Sequence, residues 1–99
     1  MSKYYRLCGH TPVPCSLMEW AQWHEKAENR ICCQKQIGDA KVSTVFLGLN
    51  HQFGDGPPLL FETMIFGGPH DGYQERCSTW DEALKQHLTA ERLARGTVS

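Results

Sequence analysis

The chain has 99 residues, of which 40% are hydrophobic and 21% charged, with a mean hydropathy of -0.47 and a formal net charge of -1. A chain of this length accommodates one domain, 1–99, with a modest core, which excludes multi-domain enzymes. Near-neutral charge argues against a basic nucleic-acid binder, and with no apolar run long enough to span a membrane and no apolar signal core at the N-terminus, the sequence predicts an intracellular protein.

In chain order, Lys3 to Cys8 (KYYRLC) alternates aromatic and polar residues and predicts a short strand, closed by a Gly9 to Pro14 segment that carries two prolines. Five cysteines without a signal segment read as reduced thiols, and Cys8, His10 and Cys15 lack the tight pair spacing of a zinc knuckle. Ser16 to Glu19 is a capping box that opens a helix: the Ser hydroxyl accepts from the Glu amide and the Glu carboxylate reaches back to the Ser amide. At about 100° per residue, Leu17, Trp20, Ala21, His24 and Ala27 share one stripe, opposite Glu19, Gln22, Lys26 and Asn29.

Ile31 to Ile37 and Ala40 to Leu49 flank Gly38-Asp39 and predict a tight hairpin with Ile37 opposite Ala40, Lys35 opposite Val42, Cys33 opposite Thr44 and Ile31 opposite Phe46. Asn50 to Pro58 reads as a loop, Leu59 to Phe66 as the next strand, and Gly67 to Cys77 as a second polar loop. Thr79 to Glu82 forms another capping box, opening a helix to about Ala94 with an apolar stripe of Trp80, Ala83, Leu84, His87, Leu88 and Ala94. The expected fold is α+β, in the order β-α-β-β-β-α: an antiparallel meander of three or four strands with two helices on one face.

Three groups of residues invite a chemical reading. Glu62 sits in the middle of an apolar strand, where a carboxylate must find a donor or solvent. If Leu49 pairs with Leu59 it lies beside Phe46 under the helices, and a one-residue slip moves it to the open face. His24 and His87 lie near the centres of the two helix stripes, and a meeting with Glu62 would compose a His2Glu zinc site of a small metal-dependent enzyme. Asn50, His51, Glu62 and Thr63 beside the glycine-bearing loop form the alternative, a small-ligand pocket for a nucleotide signal, although the loop lacks the glycine order of known phosphate cradles. The absence of a nucleophile elbow or other catalytic motif favours a protein without enzymatic activity, cofactor or metal.

The charge is unevenly placed. Residues 1–50 hold six bases and four acids, residues 51–99 four bases and seven acids, and within 50–82 Arg76 is the only base against Asp55, Glu62, Asp71, Glu75, Asp81 and Glu82. Acids and aromatics on the two loops flanking the last strand predict a contact surface for a basic protein partner, made by His51, Phe53, Asp55, Glu62, His70, Asp71, Tyr73 and Glu75.

The stretch Val42 to Gly68 (VSTVFLGLNHQFGDGPPLLFETMIFGG), followed by Asp71 to Tyr73 (DGY) and Cys77 to Ala83 (CSTWDEA), resembles a family of small phage and prophage proteins carrying a similar string. The resemblance covers the C-terminal three-fifths of the chain and implies a phage lineage without assigning catalytic residues. By analogy with single-domain counter-defence proteins, it implies an anti-CRISPR-like inhibitor in the host cytoplasm that binds a defence complex, such as a CRISPR-associated one, and touches neither nucleic acid nor membrane directly. The oligomeric state stays open.

Overall fold

Two antiparallel sheets organise the chain in a computed structural model that describes residues 3–50 and 56–96. The elements are β1 (Tyr4–Cys8), β2 (Thr11–Cys15), α1 (Leu17–His24), α2 (Ala27–Arg30), β3 (Ile31–Ile37), β4 (Ala40–Phe46), β5 (Phe61–Phe66), β6 (Gln74–Cys77) and α3 (Trp80–Arg95). The expected α+β class and antiparallel meander are present as a four-stranded sheet, β3-β4-β5-β6, packed with helices, beside a separate two-stranded sheet, β1-β2.

Two strands were not expected. Thr11–Cys15 pairs with β1 across a two-residue Gly9-His10 turn although it contains Pro12 and Pro14. The two prolines stand opposite Leu7 and Tyr5, at alternate positions whose nitrogens point away from β1, so the ladder loses no donor. Gln74–Cys77, three of whose four residues are exposed and polar, has little apolar pattern to announce a strand; it forms the outer edge beside β5.

The β3–β4 hairpin turns at Gly38-Asp39 with the expected pairs Ile37–Ala40, Lys35–Val42 and Cys33–Thr44. Beyond Cys33 a bulge intervenes and Ile31 meets Val45 instead of Phe46, because one extra residue is absorbed on β3. Phe46 pairs instead with Phe61 on β5, which is the register one residue away from a Leu49–Leu59 pairing, and Leu49 bridges to Tyr4.

α3 lies on the face formed by Val42, Thr44, Phe46, Phe61, Thr63 and Ile65, all fully buried, and presents Ala83, His87 and Ala90 to them. The alanines let the helix approach the sheet closely, so Leu84 and Leu88, expected on the buried stripe, turn outward and are 40% and 54% exposed. Each fully buried Phe, Leu, Ile or Val contributes roughly 1.5–3 kcal/mol. Both capping boxes form, with Ser16 and Thr79 accepting from the amides of Glu19 and Glu82 and the carboxylates reaching back; Gly96 ends α3 at a φ of 75°.

The first helix is shorter than its pattern. It stops at His24, where the Asn29 amide donates to the Trp23 carbonyl at 2.8 Å and Arg30 Nη1 to the His24 carbonyl at 2.9 Å, satisfying the orphan acceptors of the last turn. Its inner face is also rotated: Trp20, Trp23 and His24 point inward, whereas Leu17 and Ala21 are exposed. Trp23 meets Phe46 edge-on at 5.5 Å, and the Trp20 indole N–H donates to the Leu47 carbonyl at 3.2 Å. The Tyr5 amide donates to the Gly48 carbonyl at 2.7 Å and the Asn50 amide to the Lys3 carbonyl at 2.9 Å, tying β1 to the end of β4. Gly48 is required at this junction: its φ is +71°, and a Cβ there would sit 2.5 Å from Trp20 Nε1 and 2.6 Å from the Tyr5 carbonyl.

Candidate functional site

The pairing of Phe46 with Phe61 sets the register of β5 and turns Glu62 to the sheet face opposite α3. There it is 8% exposed and stands between Val45 and Arg76 on the flanking strands. Arg76 Nε donates to Glu62 Oε2 at 2.9 Å, and the Gln74 amide donates to the same oxygen. The mid-strand carboxylate thus finds its donors one strand away, on the unexpected β6. Cross-strand opposite charges are a common way to steady an edge.

This register separates the proposed metal ligands. His87 comes from α3 on the other side of the sheet, and His24 stacks on Trp20 with ring centroids 4.8 Å apart. Among the described residues, no three His, Cys, Asp or Glu side chains gather in a metal-binding arrangement. The nucleotide set is divided the same way, since Thr63 faces α3 and Glu62 faces away.

His87 belongs to a buried polar chain that pattern alone does not reveal. Thr44 Oγ1 lies 2.7 Å from both Thr63 Oγ1 and His87 Nδ1; His87 Nε2 lies 3.2 Å from Glu91 Oε2, out of line for a hydrogen bond, and Glu91 Oε1 accepts from Arg95 at 3.0 Å. Burial pushes the His87 pKa below its ordinary 6.5, against the pull of Glu91. The neutral ring accepts at Nδ1 from the Thr44 hydroxyl when its proton rests on Nε2 toward Glu91. The order hydroxyl, imidazole, carboxylate is that of a nucleophilic relay, but Thr44 and Thr63 are 0% exposed and His87 2%, so the chain pairs the two hydroxyls and His87 Nδ1 within the core and leaves His87 Nε2 without a hydrogen bond.

Of the eight residues expected to contact a partner, His51, Phe53 and Asp55 lie outside the described residues. Glu62 is engaged as above. Tyr73 is half-buried against the Ala40, Val42, Ile65 and Ala90 cluster, and burial, then Glu75, raises its phenol pKa. His70 is partly exposed in the turn before β6. There Asp71 Oδ1 accepts from the Gly67 amide at 2.6 Å, and a Cβ on Gly67 would collide with the Asp39 carbonyl. Glu75 is exposed on β6, and Asp81, on the first turn of α3, is exposed beside Glu82, whose carboxylate is occupied in the cap. The exposed acids along and beside the β6 edge, an acidic rim, are therefore Asp71, with Oδ1 bonded to the Gly67 amide, and Glu75 and Asp81, which have no ion-pair partner among the described residues.

No family model, curated protein or solved structure matches the chain. Among the described residues, no helix is long and apolar enough to cross a membrane.

Proposed function

We propose that the protein is a non-catalytic binding protein, an inhibitor of the anti-CRISPR kind, that sets its acidic rim on a basic, nucleic-acid-handling surface of a host defence complex. The observation that carries this reading is the contrast between the rim and the rest of the charged groups. Glu62 and His87 are held inside the fold by named partners, whereas Asp71, Glu75 and Asp81 are exposed on an edge strand and its two flanks, Asp71 with one oxygen bonded to the Gly67 amide. Such a rim speeds encounter with a basic surface, and the charge on β6 also discourages pairing of its free edge with other strands. The phage resemblance of the Val42 to Gly68 string supplies the class of target.

Phage plating on a host with active CRISPR immunity, with and without the protein expressed, tests the reading. The wild type is expected to restore plating, and the set Asp71→Lys, Glu75→Lys and Asp81→Lys to lose that effect while keeping its thermal unfolding transition. A wild type without effect overturns the inhibitor assignment. A folded charge-reversed variant of full potency overturns the acidic rim.

A further inference from the structure

An exposed ring and a half-buried one meet where the N-terminal hairpin touches α3. His10, at the tip of the β1–β2 turn, lies flat on Trp80 with ring centroids 3.8 Å apart and planes only 3° apart. Trp80 in turn packs perpendicular to the core Phe61 ring at 6.2 Å, so the indole is anchored on the core while one of its faces is covered by an exposed side chain on a two-residue turn. Two cavities border this stack and share His10 and Trp80 in their walls, one of about 370 Å³ lined also by Trp23 and Cys32 and one of about 330 Å³ beside Thr79 and Asp81. Among the described residues that line them, the acidic groups are Glu28 in the first cavity and Asp81 in the second, and neither Lys nor Arg lines either.

We propose that the Trp80 face under His10 is a binding site for a planar cation of the guanidinium type, with His10 its intramolecular stand-in and Glu28 and Asp81 the flanking carboxylates. The flat stack shows which shape this face accepts. A guanidinium is planar, carries a full charge, is weakly hydrated and stacks on indole, while its N–H groups reach carboxylates in its own plane. Because His10 and Trp80 line both cavities, a His10 that swings out on its turn would join them across the vacated face, with Glu28 on the wall of one and Asp81 on the wall of the other. The Cys32 thiol, pushed up to about 12 chiefly by burial, stays neutral and adds no competing charge to the wall. The site shares Asp81 with the acidic rim, but the guanidinium titration reads it without reference to any host target, so it stands or falls independently of the inhibitor reading.

Titration of the full chain with methylguanidinium, followed through its three indole N–H resonances, tests the proposal. Trp80 and Trp23 are expected to shift with a dissociation constant on the order of millimolar, while Trp20, whose N–H is bonded to the Leu47 carbonyl at 3.2 Å, serves as an internal control. Urea, planar but uncharged, and tetramethylammonium, charged but not planar, are expected to shift them far less. His10→Ala is expected to tighten binding roughly threefold to tenfold by freeing the indole face, and Glu28→Gln or Asp81→Asn to weaken it roughly twofold to fivefold. N-acetyl-arginine amide and free arginine separate the sources: stronger binding of the former marks a peptide side chain, equal binding a free guanidinium metabolite, and either result supports the site. No saturable Trp80 shift by about 50 mM methylguanidinium, equal response to urea, or weaker binding in a folded His10→Ala variant overturns it.

Discussion

Residues 3–30 and residues 31–95 are built on different principles. Every buried side chain among the described residues falls between Ala40 and Ala90, and α1 buries none. The later region is a sheet and helix closed around Phe46, Phe61, Ile65 and Val42. The earlier one leans on it through aromatic edges, a Trp20 hydrogen bond and the backbone bonds at Gly48 and Asn50. A region with little buried apolar area opens at a lower free energy than a packed core, so the hairpin and α1 form a docked arm on a stable body. The cavity at His10 and Trp80 lies on the seam between them, where ligand access and arm docking are coupled.

The largest expected effect comes from the body. Phe61→Ala removes a fully buried ring that touches both Phe46 and Trp80, and is expected to cost about 3–5 kcal/mol in urea unfolding and to release arm and body together. Next, Gly48→Ala places a Cβ against Trp20 and the Tyr5 carbonyl at a left-handed φ, at a cost of about 1–3 kcal/mol. Hydrogen exchange is expected to show the amides of β1 and α1 losing protection while those of β4 and β5 keep theirs. Parallel loss in both would mean that arm and body are one cooperative unit.

Within the body, Thr44→Val removes the hydroxyl that serves both Thr63 and His87, and is expected to cost about 1–3 kcal/mol by stranding His87 Nδ1. A Thr44→Val, His87→Leu double variant is expected to lose less than the sum of the two single changes, read as a non-additive thermal or urea midpoint.

The smallest effect is a dependence on pH that divides along the same line. Burial lowers the pKa of His24 in the arm, with a backbone hydrogen bond at Phe46 and Arg30 as lesser influences, and burial lowers that of His87 in the body. A histidine whose folded pKa is depressed binds fewer protons folded than unfolded, so its contribution is fully present above the ordinary 6.5 and is lost as pH falls through 6.5 toward the folded value. His24→Gln is expected to flatten the acid sensitivity of arm protection, and His87→Leu that of global unfolding. Unchanged pH profiles in both variants would remove these histidines from the account.

Local rules carried much of the architecture. The two capping boxes and the Gly38-Asp39 turn each depend on neighbours a few residues apart, and each is present as read, whereas the strand read from Ala40 to Leu49 ends at Phe46. Features that depend on distant contacts diverged from the pattern. Pro12 and Pro14 mark a break by composition, yet fit a strand with only one partner. Leu84 and Leu88 match an apolar stripe, yet helix rotation was decided by the closer fit of Ala83, His87 and Ala90 on the sheet.

The candidate sites divide the same way. The sequence marked Glu62, His87 and the acids around β6 as chemically notable, because a charge or imidazole in an apolar pattern carries a desolvation cost wherever it lands. Whether that cost was offset internally or left for a partner was decided by register. One residue of slip in β5 separates a Glu62 aimed at His87 from a Glu62 held by Arg76 and Gln74. Side-chain direction in a strand has a period of two, so composition and charge order alone determine which groups need partners, while long-range strand pairing determines which partners they meet.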